Sequence, residues 1–127
     1  MAGTADDTAY SLVLRDEGTE AVIDTQPLFA ALVEDLRQGV PAGVISRRLH
    51  NGLVQTFTSL AELLRERTNL NRVCLSGGTF QNTFLLESLS VRLKATGFEV
   101  FTHSEVPAGD GGLSLGQALV AAHRGAR

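Results

Sequence analysis

Two short apolar runs near the N-terminus predict two short β-strands. The runs AYSLVL at 9–14 and EAVID at 20–24 are apolar and partly β-branched, and Asp16 and Gly18 between them suit a hairpin loop. We therefore expect the two strands to pair antiparallel.

The pattern then changes to the three- and four-residue spacing of amphipathic helices. Thr25 can cap the first helix, which has Pro27 in its first turn and ends at Gly39. A longer helix restarts at Pro41 and runs to about Arg67. The apolar face of the first helix consists of Leu28, Phe29, Leu32, Val33 and Leu36.

Gly52 lies in the middle of the longer helix. A glycine inside a helix costs about 1 kcal/mol relative to alanine, so its presence calls for a local reason. We expect either a close approach of another backbone segment or a kink at this position.

The second half of the chain alternates strand and helix with short connections. Strands are predicted at 72–76 and 98–102, a helix at 80–95, and a last helix that ends near His123. Such a βαβα unit requires a parallel strand pair and a right-handed crossover. The apolar residues that line the last helix are Leu113, Leu115, Ala118, Leu119 and Ala122. The predicted fold class is α/β, a mixed sheet with an N-terminal antiparallel hairpin, a parallel βαβα half and helices covering the sheet.

Length and composition limit the classes of protein to consider. The 127 residues, 43% hydrophobic and 20% charged, fit one globular domain over 1–127. No apolar run approaches the ~20 residues that cross a bilayer, and no basic segment leads into an apolar one, so we expect a cytoplasmic protein without a membrane partner. Net charge is −3 and no basic stripe is present, which argues against binding nucleic acid. The single Cys74 excludes an internal disulfide.

The stretch SGGTFQN at 76–82 follows a predicted strand and opens a helix. Gly77 and Gly78 lack Cβ atoms, so their backbone can take positive φ and approach the sugar or phosphate of a nucleotide, with Asn82 as a polar contact in the first helical turn. The alternative is a plain tight turn in which Ser76 caps the helix.

The stretch VPAGDGG at 106–112 occupies the equivalent position after the next strand. Its Asp110 can hold a divalent cation against a phosphate, or it can simply cap the last helix. Ligands of open α/β sheets bind beyond the carboxyl ends of the strands. The two loops together favour a nucleotide cleft in which the turns of Gly78 and Asp110 lie side by side.

With both loops quoted, the sequence resembles the C-terminal part of HypF-type carbamoyltransferases, maturation factors for nickel–iron hydrogenases. The resemblance is carried by four blocks: RLHNGL, LSGGTFQNTFLLE, GFEVFTH and VPAGDGGLSLGQALVA. It implies the second lobe of an actin-like, sugar-kinase (ASKHA) fold. Pro107, Ala108 and Gly109 depart from the family's usual Pro-Pro-Asn, and Thr79 stands where valine is commoner.

The resemblance also implies roles for individual residues. Gly77, Gly78 and Asn82 would bind the adenylate, Gly111 and Gly112 would lie against the phosphate, and Asp110 would ligate a divalent metal. The family's reaction transfers a carbamoyl group from carbamoyl-adenylate, made with ATP, to the C-terminal cysteine of the partner HypE. No catalytic nucleophile is expected within this chain.

Two further expectations concern the chain as a separate lobe. Its active site would be incomplete, and an exposed inter-lobe face would favour self-association. The alternatives to a carbamoyltransferase lobe are a non-catalytic α/β interaction module and the nucleotide-binding lobe of a small-molecule kinase.

Overall fold

The computed structural model describes residues 8–126. The chain forms two compact units, Met1–Leu70 and Asn71–Arg127, each with its own internal contacts. The expectation of a single domain over 1–127 stays a prediction, and the units are taken in turn. Within residues 8–126, no helix is both long and apolar enough to cross a bilayer.

The first unit begins with the expected antiparallel hairpin. Strands β1 (Val13–Asp16) and β2 (Ala21–Asp24) pair with Val13 opposite Asp24. Gly18 takes a φ of +83° in the turn, and its amide donates to the Asp16 carboxylate at 2.9 Å. The strands are shorter than predicted, since β1 starts only at Val13.

Helices α1 (Gln26–Arg37) and α2 (Ala42–Thr68) follow with nearly the predicted boundaries. Pro27 lies in the first turn of α1, and Gly39 between the helices has a φ of +72°. Asn69 ends α2 in the left-handed conformation. Tyr10, Leu28 and Ile45 form a buried apolar cluster in this unit.

The predicted apolar face of α1 is only partly covered. Leu28 is buried, whereas Phe29, Val33 and Leu36 are each more than half exposed. A helical spacing shows that a face is apolar, but it does not show how much of that face the rest of the unit covers.

Gly52 marks a close backbone approach, as expected. A Cβ atom there would lie 2.4 Å from the carbonyl oxygen of Tyr10 and 3.2 Å from Cδ1 of Leu12. The Tyr10 amide also donates to the carbonyl of Arg48, and Asn51 donates to the carbonyl of Thr8 at 3.1 Å. Segment 8–12 therefore lies directly on α2, which explains why β1 begins later than the sequence predicted.

The second unit contains a parallel strand pair joined by a helix, as predicted. Strands β3 (Arg72–Leu75) and β4 (Glu99–Thr102) pair with Leu75 opposite Thr102, and α3 (Thr83–Ala95) connects them. The helix buries Leu85, Leu89 and Leu93. Phe98 and Leu75 are buried in the same unit.

One expectation about the sheet was wrong. Within residues 8–126 the hairpin and the parallel pair form separate two-stranded sheets, not one mixed sheet. The hairpin turn and the crossover each fix a local pairing, but the sequence pattern carries no comparable signal for pairing between distant strands.

The covering role of the last helix, α4 (Leu113–Gly125), was also predicted wrongly. None of its described residues is buried, and Leu119, one of the apolar residues that line it, is 64% exposed. Cys74 on β3 is exposed as well. Val73 and Leu75 of β3 point to one side of the short parallel sheet, whereas Cys74 points to the other side and is left uncovered.

Candidate functional site

The second unit contains a cleft of about 870 Å³ at the carboxyl ends of β3 and β4. Residues 76–78 form one wall, the loop after β4 forms another, and one face of α4 forms the third. The cleft therefore lies where the sequence predicted a ligand site.

The two glycine-rich loops are joined directly. The amide of Gly77 donates to the carbonyl oxygen of Ala108 at 2.8 Å. A Cβ atom on Gly109 would lie 3.7 Å from the Cα of Gly78. The expectation that the turns of Gly78 and Asp110 lie side by side is confirmed.

The first loop needs its two glycines for different reasons. Gly77 has φ +109° and ψ 162°, a backbone conformation that is essentially restricted to glycine. Gly78 begins a 3₁₀ turn, Gly78–Gln81, without a positive φ. A Cβ atom on Gly78 would meet no heavy atom within 4 Å, so the space beside it is open.

In the second loop, the backbone folds tightly over Pro107. A Cβ atom on Gly112 would lie 2.5 Å from the Pro107 carbonyl oxygen and 2.9 Å from Cγ1 of Val106. One on Gly111 would lie 3.3 Å from Cγ of Pro107. Packing within the loop thus explains why positions 111 and 112 are glycines, whether or not they contact a phosphate.

Asp110 is exposed at the start of the 3₁₀ turn Asp110–Gly112, and it lines the cleft. The N-terminal cap residues of this turn and of α4 are Gly109 and Gly112, so Asp110 is the cap residue of neither. The capping role that the sequence left open for Asp110 is therefore not observed.

Asn82 lies outside the group of residues that line the cleft. Its Oδ1 accepts a hydrogen bond from the Leu85 amide at 3.1 Å, which caps α3. Gly111 is likewise absent from the lining, whereas Gly77, Gly78, Asp110 and Gly112 are present. The nucleotide-binding roles of Gly77, Gly78, Asn82, Gly111 and Gly112 and the metal-binding role of Asp110 stay predictions.

The sequence interpretation missed a polar pair in the cleft. Ser76 Oγ and His103 Nε2 lie 2.8 Å apart, and both residues line the cleft. Gly77, not Ser76, is the N-terminal cap of the 3₁₀ turn. Strand register was the signal that could have found the pair, because Leu75 lies opposite Thr102 and the next two residues are Ser76 and His103.

One face of α4 was also missed as a wall of the cleft. The lining residues of α4 recur at helical spacing: Leu113, Gly116, Gln117, Val120, Ala121 and Arg124. A Cβ atom on Gly116 would meet no heavy atom within 4 Å. The signal in the sequence was a glycine inside a helix, which lowers helix stability unless its missing side chain serves a purpose.

Comparison with known proteins identifies the family. Residues 1–117 match the family model described as carbamoyltransferase, Kae1-like domain, second subdomain. The chain belongs to this family. The match favours the carbamoyltransferase interpretation over an interaction module or a small-molecule kinase lobe.

Individual HypF proteins support the same assignment. The carbamoyltransferase HypF of Synechocystis sp. is 32% identical over 110 residues, which are 87% of this chain and 14% of that protein. HypF of Rhodobacter capsulatus is 40% identical over 100 residues, 79% of this chain and 13% of that protein. The chain therefore spans only 13–14% of the length of these two HypF relatives.

The fold agrees with solved HypF structures. A crystal structure of full-length HypF in the phosphate- and nucleotide-bound form matches with a TM-score of 0.87 and 40% identity, over 93% of this chain and 16% of that one. HypF of T. kodakarensis matches with a TM-score of 0.74 and 25% identity, over 94% of this chain and 15% of that one. The resemblance to the C-terminal lobe of the HypF Kae1-like domain is confirmed.

The part of the chain that the structure describes has no cluster of metal-binding side chains. Within residues 8–126, no three His, Cys, Asp or Glu residues lie close enough to hold a metal ion together. Asp110 therefore brings one carboxylate to the cleft, not a complete ligand set.

Proposed function

We propose that this chain is the nucleotide-binding lobe of a HypF-type carbamoyltransferase. The observation that carries the proposal is the hydrogen bond from Gly77 to Ala108, which holds two glycine loops together as one cleft. In this cleft the lobe binds ATP or carbamoyl-adenylate. The full-length HypF whose fold it shares was crystallised in a phosphate- and nucleotide-bound form, which supports the choice of ligand.

The shape of the cleft suits a nucleotide. The open space beside Gly78 lets a sugar or phosphate approach the backbone without meeting a side chain. The 3₁₀ turns at Gly78 and Asp110 begin at the rim of the cleft, and the first amide groups of such turns have no partner within the turn. They are therefore available as donors to phosphate oxygens.

Asp110 fits a divalent cation as one ligand among several. It is exposed, it lines the cleft, and it is not the cap residue of either the 3₁₀ turn or α4. Hard cations such as Mg²⁺ take oxygen ligands and are commonly shared between a carboxylate and substrate phosphates. The remaining ligands would come from the nucleotide, water or residues outside this chain. When bound, the cation would neutralise charge on the phosphoryl leaving group.

The proposed reaction transfers the carbamoyl group of carbamoyl-adenylate to a HypE-type partner. The sulfur of the partner's C-terminal cysteine, having lost its proton, forms a bond to the carbamoyl carbon. The bond from that carbon to the phosphate oxygen breaks, and AMP leaves. The acceptor is the partner's thiol, so the lobe acts by binding and orienting the nucleotide, and residues outside this chain complete the active site.

Titration calorimetry with ATP tests the proposal. We expect saturable binding by the full chain that is tighter with Mg²⁺ than without it. Asp110→Asn should remove most of the Mg²⁺ effect, whereas Glu105→Gln should keep it, because Glu105 is an exposed carboxylate on the same loop outside the cleft. Absence of ATP binding, or an equal loss of the Mg²⁺ effect in both variants, would contradict the proposal.

A further inference from the structure

Ser76 and His103 form a side-chain pair that the proposed nucleotide contacts leave without a function. The pair lies at the carboxyl ends of the two parallel strands, one residue beyond the last ladder partners Leu75 and Thr102. Ser76 Oγ and His103 Nε2 are 2.8 Å apart, a normal hydrogen-bond distance. Both side chains line the cleft next to Gly77 and Gly78.

Holding the loops together is a weak explanation for this pair. The same two loops are already joined by the backbone hydrogen bond from Gly77 to Ala108. The Ser76–His103 bond is exposed, so water competes for both partners and its contribution to folding is small. A few well-placed polar groups in a cleft are, by contrast, what fixes the orientation of a ligand.

We propose that the Ser76 hydroxyl makes a hydrogen bond with the ribose–phosphate part of the nucleotide, as donor or as acceptor. His103 is the positioning residue that holds the hydroxyl in place. This inference rests on the proposed function of the cleft. It places the ribose–phosphate part, not the base, at the end of β3.

The chemistry of the two groups is suited to this role. A serine hydroxyl has one donor hydrogen and two acceptor lone pairs, so the bond to His103 leaves further hydrogen-bonding capacity for a ligand. If Nε2 accepts the hydroxyl hydrogen, the serine oxygen can accept from a ribose hydroxyl. If Nε2 carries the hydrogen and donates it to Ser76, the hydroxyl can donate to a phosphate oxygen.

The neighbouring glycines make such a contact sterically available. Gly78 leaves open space at the same rim of the cleft, so a sugar or phosphate can come within reach of the serine side chain. A free serine hydroxyl rotates among several positions and loses this freedom when it binds a ligand. A hydroxyl already held by an imidazole loses less conformational entropy on binding. His103 therefore acts on the nucleotide through Ser76.

Nucleotide affinities of variants of the full chain test the inference. Ser76→Ala should weaken AMP binding by about three- to tenfold, the usual effect of one hydrogen bond. His103→Ala should weaken it by a similar factor, and His103→Gln, which keeps a hydrogen-bonding group, should recover part of the loss. In the Ser76→Ala background, His103→Ala should have no further effect on affinity.

Comparison of ligands separates the two possible contacts. If Ser76→Ala weakens adenosine and AMP equally, the contact is to ribose, and removal of the 2′- or 3′-hydroxyl should abolish the difference between variant and wild type. If it weakens AMP alone, the contact is to phosphate. If Ser76→Ala also weakens binding of free adenine, the inference is contradicted, because it places the base away from Ser76.

The outcomes distinguish this inference from the proposed function. Wild-type binding of AMP with unchanged affinities in both variants would overturn the inference and leave the proposed function standing. No binding by the wild type would overturn both. Losses that are additive in the double variant, or that track a fall in melting temperature, would show a merely structural role and also overturn it.

Discussion

The carbonyl oxygen of Tyr10 lies directly over Gly52 of α2, at 2.4 Å from the position that a Cβ atom would occupy. This contact places segment 8–12 on α2 and adds Tyr10 to the buried cluster with Leu28 and Ile45. A side chain at position 52 would push the segment away from the helix. The glycine therefore determines where the N-terminal segment packs.

Gly52→Ala should destabilise the protein although alanine is the better helix former. The clash is with backbone, and forcing extra atoms into such a contact typically costs about 1–3 kcal/mol, more than the roughly 1 kcal/mol gained in helix propensity. Thermal or urea denaturation measures the difference. Gly43→Ala is the matched control in the same helix, because a Cβ atom there meets nothing within 4 Å. A Gly52→Ala variant as stable as Gly43→Ala would contradict this account.

Tyr10 should make stability fall at high pH. Its burial, assisted by a hydrogen bond of 2.6 Å to Asp35, raises the pKa of the Tyr10 phenol above its ordinary value near 10. The folded state then keeps a proton that the unfolded state releases, so this contribution to stability is complete below pH 10 and declines as pH rises through the folded-state pKa.

Urea denaturation between pH 8 and 11.5 checks this prediction. Wild type should lose stability more steeply above pH 10 than Tyr10→Phe, which has no phenol proton to release. The two proteins should have parallel stability curves below pH 9. A parallel decline above pH 10 would show that Tyr10 does not contribute to the pH dependence.

The elements and their local pairings could be predicted from the sequence because they depend on local physics. Hydrophobic spacing and turn glycines fixed the hairpin, the helices and the parallel crossover, and an isolated helix glycine indicated the contact at Gly52. The exposure of α4 depends on what covers a surface, and the separation of the two sheets depends on pairing between distant strands. No short pattern encodes either. Ser76 and His103 are 27 residues apart and meet only through strand register.

Alanine substitutions at the two adjacent glycines of the first loop should have different effects on stability. Gly77→Ala should destabilise the protein by about 1–3 kcal/mol, since its φ of +109° and ψ of 162° are strained for any side chain. Gly78→Ala should leave the melting temperature nearly unchanged, because its Cβ would enter open space.

The same Gly78→Ala change should weaken nucleotide binding, although it leaves stability nearly unchanged. The methyl group would occupy the space that we assign to the ligand, so ATP affinity should fall by tenfold or more, a loss of about 1.4 kcal/mol. Calorimetric titration at a temperature where both proteins are folded measures this. Unchanged affinity in Gly78→Ala would place the ligand away from this loop.

Self-association should be driven by the exposed apolar side chains of α4. Leu115 and Leu119 are 47% and 64% exposed and lie outside the cleft lining. Sedimentation velocity should show a concentration-dependent increase in mass for the wild type, and Leu115→Gln with Leu119→Gln should suppress it. Val91→Gln on α3 removes an apolar side chain that is 69% exposed and should leave association unchanged. An equal effect of both changes would point to nonspecific attraction.

Gly116→Ala should change stability and binding in opposite directions. Position 116 lies inside α4, where alanine is favoured over glycine by about 0.5–1 kcal/mol, and the added Cβ meets no heavy atom within 4 Å. The protein should therefore unfold at a slightly higher temperature. The same methyl group enters the cleft between the side chains of Leu113 and Val120, so ATP affinity should fall. Gly125→Ala, at the end of the same helix and outside the lining, should leave affinity unchanged. A gain in stability with full ATP affinity would show that the nucleotide does not use the α4 wall.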